Sequence, residues 1–135
     1  MDRVRDAMIT EPRSLPATAS AREAGEVLTP VEVRAVFVVD EAGGLVGVVT
    51  RKTLVARVVA AGLDPSATEL RAIAEAPYYT LGPDTPLEEA FRFIEEHDAE
   101  RVPVVEEGRL IGVVSRAVLQ RRLAEDEEPP DTPAE

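Results

Sequence analysis

Two short stretches of this chain carry the residue types that bind anions. Thr50-Arg51-Lys52 and Ser115-Arg116 each place a hydroxyl and a cation directly after an apolar run of strand type. Where a strand turns into a helix, the free N–H groups of the first helical turn and the helix dipole favour negative charge. A hydroxyl at that point either caps the helix or serves a ligand oxygen, and capping alone is enough to explain both residues. Arg51 and Arg116 have two open readings, as phosphate-facing cations or as partners of nearby acids. His97, the only histidine, falls near the end of a polar-faced helix and reads as a surface residue. Asp98 and Glu100 beside it lack the further donors at fixed spacing that a metal ion needs. No nucleophile–base pair, phosphate-cradling glycine loop or paired carboxylates can be assembled, so neither catalysis nor a metal centre is expected.

Both anion-type stretches close copies of one longer pattern. Residues 36–54, VFVVDEAGGLVGVVTRKTL, match residues 102–119, VPVVEEGRLIGVVSRAVL, once one residue is removed from the first turn. Before that turn the offset is 66, so Arg22-Glu23-Ala24 falls on Glu88-Glu89-Ala90; after it the offset is 65, so Thr50 falls on Ser115. A duplication of this size predicts two like units leaning together about a pseudo-twofold axis, with crevices as the natural ligand sites. The copies are expected over 1–62 and 63–123.

Each copy reads as a lead-in strand, a helix, two adjacent strands and a second helix, an α+β pattern. Ser20 is expected to cap a helix whose inward positions are Ala21, Ala24, Val27 and Leu28, stopped before Pro30. In the second copy Thr85 is the expected cap, Pro86 the first-turn residue, and Leu87, Ala90, Phe91 and Ile94 the inward face. Strand pairs are predicted at 35–39 with 45–49 and at 101–105 with 110–114, as near-continuous apolar runs covered on both faces. Gly43-Gly44 and Glu107-Gly108 supply positive-φ residues for the two hairpins, while Gly47 and Gly112 inside strands mark close backbone approach or a bulge. Second helices are expected near 51–61 and 116–124. The connector 62–70 contains a helix-stopping Gly62 and a Ser66…Glu69 capping box, and opens the second copy with Leu70-Arg71 falling on Val4-Arg5.

Composition sets the remaining limits. The chain has 135 residues, 44 % hydrophobic and 30 % charged, with no cysteine to form a disulfide or a thiolate metal site. The formal net charge is −11, of which the segment 124–135 holds six acids and no base. That Pro-rich acidic stretch is expected to be a disordered, solvating tail. The remaining acidic balance argues against a nucleic-acid partner, and no apolar run approaches membrane-spanning length. With a charged N-terminus and no apolar signal core, a cytoplasmic location is expected.

The quoted runs carry a resemblance. The order apolar-Pro-Val-Val-acid, a glycine turn, then Leu-Val/Ile-Gly-Val-Val-Thr/Ser resembles the cystathionine-β-synthase (CBS) domain, closely over Val102–Ser115 and with Phe37 in place of Pro over Val36–Thr50. The segments from Val4 to Thr10 and from Thr80 to Ala90 are similar to the family's lead-in segments. The resemblance implies tandem βαββα units, the pair called a Bateman module, sensing AMP, ADP, ATP or S-adenosylmethionine in one or both clefts. It also implies a homodimer and, with no enzyme or channel attached, the free-standing bacterial kind acting on a separate, unknown partner protein. On the ligand side it implies Thr50, Arg51, Ser115 and Arg116, with Arg101, Pro103, Tyr79 and Thr80 as further candidates and Tyr78-Tyr79 near the adenine slot. The family's ribose-binding Asp, three residues after the Thr/Ser, is here Thr53 in one copy and Val118 in the other. Thr53 is therefore expected to offer a ribose hydrogen bond, and an Asp at 53 to tighten binding. The alternative is a ligand-free structural or protein-interaction module.

Overall fold

The computed structural model describes residues 2–77 and 79–126. Its elements in chain order are α1 (Val4–Ala7), β1 (Ile9–Thr10), β2 (Ser14–Pro16), α2 (Ala21–Val27), β3 (Val36–Val39), β4 (Leu45–Val49), α3 (Arg51–Leu54), a π-helical turn (Val55–Val59), α4 (Leu70–Ile73), α5 (Leu87–Glu96), β5 (Arg101–Glu106), β6 (Arg109–Ser115) and α6 (Arg116–Asp126). They form two three-stranded sheets, ordered β2-β3-β4 and β1-β6-β5. Mixed helices and two small sheets make this an α+β protein, as the sequence predicts.

The compact units are not the contiguous halves 1–62 and 63–123. Among the described residues one unit joins those up to Thr10 to Tyr79–Glu106 and to those from Ile111, while the other joins 11–77 to Glu107–Leu110. Each copy's opening helix thus lies in the unit built by the other copy's strands. In one core Leu70 and Ile73 of α4 pack with Leu28, Val36, Val38 and Val49; in the other Val4 and Ala7 of α1 pack with Ile94, Val102, Val104 and Val114. These opening helices have four residues each and cannot persist alone, so burial against the other copy's core holds them.

Two glycines make room for the exchange. Val48 and Glu75 bond reciprocally, with N···O distances of 2.8 and 2.9 Å, and Ile9 pairs antiparallel with Val113 at the matching position. A Cβ on Gly47 would stand 2.8 Å from the Glu75 carbonyl oxygen, and one on Gly112 would stand 2.9 Å from the Ile9 carbonyl oxygen. Close backbone approach is therefore the role of both glycines. The same segments replace caps. Leu87 N–H donates to the Asp2 carbonyl at 3.2 Å and Ala21 N–H to the Thr68 carbonyl at 2.8 Å, again 66 positions apart.

That explains one departure from expectation. Pro86 rather than Thr85 is the N-cap of α5; its ring has no atom to cap with, and the Asp2 carbonyl takes the first N–H instead. Ser20 does cap α2, in a capping box with Glu23. Ser66 forms no such box with Glu69. Its N–H bonds to Asp64 Oδ1 at 3.0 Å in an Asx turn, and α4 starts only at Leu70.

The helix expected over 51–61 changes register at Val55, where Ala60 N–H reaches the Val55 carbonyl five residues back. The turn residues Gly43, Glu107 and Gly108 have positive φ. Coverage of the strands is uneven: β3 is largely buried, whereas Leu45 and Val46 of β4 are partly open. Helix α6 runs to Asp126, so the expected disordered tail does not begin at 124; its remainder, like Tyr78, lies outside the described residues.

Gly47→Ala and Gly112→Ala should each cost about 1–3 kcal/mol by forcing the paired backbones apart. Gly25→Ala in α2, whose added Cβ would meet only Leu54 at 3.8 Å, should be neutral or stabilising by up to about 1 kcal/mol. Urea unfolding of the three variants checks this, and equal effects would contradict the close-approach account.

Candidate functional site

The Thr50 corner is built by β4, α3 and the segment after α4. Thr50 is extended and caps α3, its hydroxyl accepting from Thr53 N–H at 3.3 Å, while Thr50 N–H donates to Thr53 Oγ1 at 3.0 Å. Thr53 Oγ1 in turn donates to Glu75 Oε1 at 2.9 Å and lies 3.1 Å from Thr50 Oγ1. With its proton given to Glu75, Thr53 accepts twice, so its hydroxyl is saturated. Thr53 is also 1 % exposed. It is an internal strut rather than a ligand-facing hydroxyl, which reverses the expectation that it bonds a ribose itself. The group that does reach solvent is Glu75, half of whose side chain is exposed, with Arg57 Nε 3.7 Å from Oε2.

Glu75 was not among the residues singled out from sequence. The available signal was the repeat itself, in which Glu75 falls on Ile9 and a carboxylate therefore replaces an apolar residue.

Arg51 is exposed but engages backbone through its guanidinium. Its Nη2 donates to the carbonyls of Leu28 and Pro30 at 2.6 and 2.7 Å, closing the C-terminal end of α2, where cations complement the helix dipole. Lys52 beside it is exposed and makes no hydrogen bond or ion pair among the described residues.

In the other unit Ser115 caps α6, its hydroxyl accepting from Val118 N–H at 3.1 Å. Arg116 is held by Asp98 at 3.4 Å, Glu95 at 3.8 Å and Glu100 at 3.9 Å. The acid-partner reading therefore describes Arg116, and intramolecular partners engage Arg51 as well. Tyr79 stacks on His97 with centroids 4.5 Å apart and meets Phe93 edge-on at 5.5 Å. Pro103 is buried and its carbonyl accepts from Leu81 N–H at 3.0 Å, whereas Thr80 and Arg101 are exposed. Among the described residues no group of three or more His, Cys, Asp or Glu is arranged to hold a metal ion. No helix among them is long and apolar enough to cross a membrane.

The family profile of the CBS domain matches twice, over residues 4–60 and 70–125. The chain belongs to the CBS-domain family. As a CBS pair it is 31 % identical over 124 residues to the A-adding tRNA nucleotidyltransferase of Aquifex aeolicus, covering 92 % of this chain but 15 % of that enzyme. It is 35 % identical over 79 residues to hypoxic response protein 1 of Mycobacterium tuberculosis, covering 58 % of this chain and 55 % of the relative. The matched parts thus span from a seventh to about half of these relatives.

Among solved structures, hypoxic response protein I with two coordinated zinc ions superposes with TM-score 0.77 at 27 % identity, over 90 % of this chain and 99 % of that one. CBSX2 in complex with AMP superposes with TM-score 0.76 at 24 % identity, over 95 % and 100 %. The CBS pair of MJ0100, in complex with 5′-methylthioadenosine and S-adenosylmethionine, gives 0.69 at 23 %, over 94 % and 99 %.

Thr53→Asp should lower stability by about 3 kcal/mol, since it buries a second carboxylate against Glu75. Burial and a like charge both raise an acid's pKa, so the loss should grow as pH rises from about 5 to about 7.5. Thermal melts at the two values test this; a variant as stable as the parent at both would place position 53 in solvent. Arg51→Met should cost about 1–2 kcal/mol through its two carbonyl bonds, and Arg116→Gln, whose ion pairs are solvated, less than about 1 kcal/mol. Urea midpoints in the reverse order would contradict the assignment of Arg51 as a helix clamp.

Proposed function

We propose that this CBS pair is a regulatory, non-catalytic module that takes an adenosine-containing ligand and passes its bound state to a separate protein. The single observation behind this reading is the corner Thr50–Thr53–Glu75, whose buried Thr53 hydroxyl holds the half-exposed Glu75 carboxylate toward solvent at a strand-to-helix junction. Support comes from the fold's relatives, because the ligands in the CBSX2 and MJ0100 structures share adenosine and differ in what is attached to its 5′ carbon. The engagement of Arg51 and Arg116 argues that adenosine, rather than phosphate, carries recognition. ATP, ADP, AMP and S-adenosylmethionine all remain within the class, with the exposed Lys52 as a cation beside the corner for a phosphate. No resident cofactor is part of this reading.

A homodimer in the cytoplasm is the assembly we propose. The exposed stripe Val55, Val59 and Leu63, at 59, 73 and 47 % exposure, is the surface that also favours the second reading, a ligand-independent protein-interaction module. The two readings separate in one titration. Calorimetry with AMP, ADP, ATP, S-adenosylmethionine and adenosine should show saturable binding of at least one, with adenosine retaining most of the binding free energy. No saturable heat with any of them at millimolar concentration rejects nucleotide sensing and leaves the interaction module.

A further inference from the structure

We infer that Glu75 is the residue that reads the ribose, and that it confines adenosine binding to one site per chain. The inference rests on the adenosine reading above and adds the group that decides it. A vicinal diol is recognised best by a carboxylate, because two hydroxyl donors then meet a charged acceptor pair, and charge-assisted bonds are about twice as strong as neutral ones. Such an acceptor needs a fixed position and an oxygen not already saturated. Glu75 has both. Its backbone is pinned to Val48 by the reciprocal bonds, its Oε1 is fixed by the buried Thr53 hydroxyl, and among the described residues its Oε2 has only Arg57, at a loose 3.7 Å.

Thr53 is thus a positioning residue whose fully used hydroxyl acts through the carboxylate. Arg57 lies where it could neutralise that carboxylate or release it to a diol, and the long separation makes the exchange inexpensive.

The duplication supplies an independent argument. The positions equivalent to Thr53 and Glu75 are Val118 and Ile9, and Ile9 pairs with Val113 just as Glu75 pairs with Val48. The backbone framework is therefore repeated while the hydroxyl and the carboxylate are both absent from the second corner. Hydroxyl and carboxylate occur together or not at all, as expected of a site present once.

Calorimetric titration of the whole chain with AMP and with 2′,3′-dideoxy-AMP tests this, comparing the parent with Glu75→Gln. The glutamine carbonyl still accepts from Thr53, so the fold should be kept, and an unchanged melting temperature without ligand checks that. Both probes carry the same phosphate, so any effect transmitted through Arg57 cancels in the ratio of their affinities. The parent should bind one AMP per chain and prefer it to the dideoxy compound by tenfold or more; Glu75→Gln should lose AMP affinity about tenfold and leave dideoxy-AMP unchanged. Equal loss for both probes, no loss for either, or two equivalent AMP sites overturns the assignment while leaving nucleotide sensing intact. A parent chain that binds neither probe overturns this inference, and the adenosine reading falls with it only when ADP, ATP, S-adenosylmethionine and adenosine also give no saturable heat.

Discussion

Everything in this structure depends on two backbones approaching more closely than a side chain allows. Gly47 and Gly112 let the opening segment of one copy pair with a strand of the other, and the pairing fixes what the short opening helices bury. A four-residue helix has no stability of its own; the core contacts of Leu70, Ile73, Val4 and Ala7 supply it. The same pairing brings the Asp2 and Thr68 carbonyls to the N-termini of α5 and α2, so the exchange also completes the helix ends. Removing the close approach would therefore disturb burial, capping and the polar corner together.

That corner is where the two copies diverge. The repeated framework supplies the same strand-to-helix turn twice, with Thr50 and Ser115 as caps in both. Only the Thr50 turn has a carboxylate bonded to a hydroxyl of its own helix, and that carboxylate comes from the exchanged segment. A buried hydroxyl with no spare bonding capacity then becomes useful, because it holds the carboxylate still without competing for a ligand. The arginines that follow the two caps have intramolecular partners, Arg51 at the end of α2 and Arg116 among three acids.

Local features were legible in the sequence. The Ser20 cap, the positive-φ turn residues Gly43, Glu107 and Gly108 (though not Gly44), the stop before Pro30 and all four strands of the duplicated pairs follow from spacing and residue type over a few positions. The repeat and its motifs also led to the family to which the chain belongs. What escaped was long-range. Spacing cannot say that Asp2 rather than Thr85 serves α5, or that Glu75 stands beside Thr53, since both depend on which copy an opening segment joins. The roles of Gly47 and Gly112 were half visible: close approach was readable, its partner was not. The carbonyl partners of Arg51 were hidden for a related reason, because a cation at a helix start suggests an anion until the free carbonyls of a neighbouring helix end are in view. The π-helical turn at Val55–Val59 had no signal in the periodicity.

The proposed adenosine corner occurs once per chain, at Thr50, Thr53 and Glu75. Backbone amide NMR during an AMP titration addresses it most directly. Saturable shifts are expected at Val48, Thr50, Thr53 and Glu75, with Ile9, Ser115 and Val118 left in place. Shifts centred on Ser115 and Val118, or equal at both corners, would contradict it.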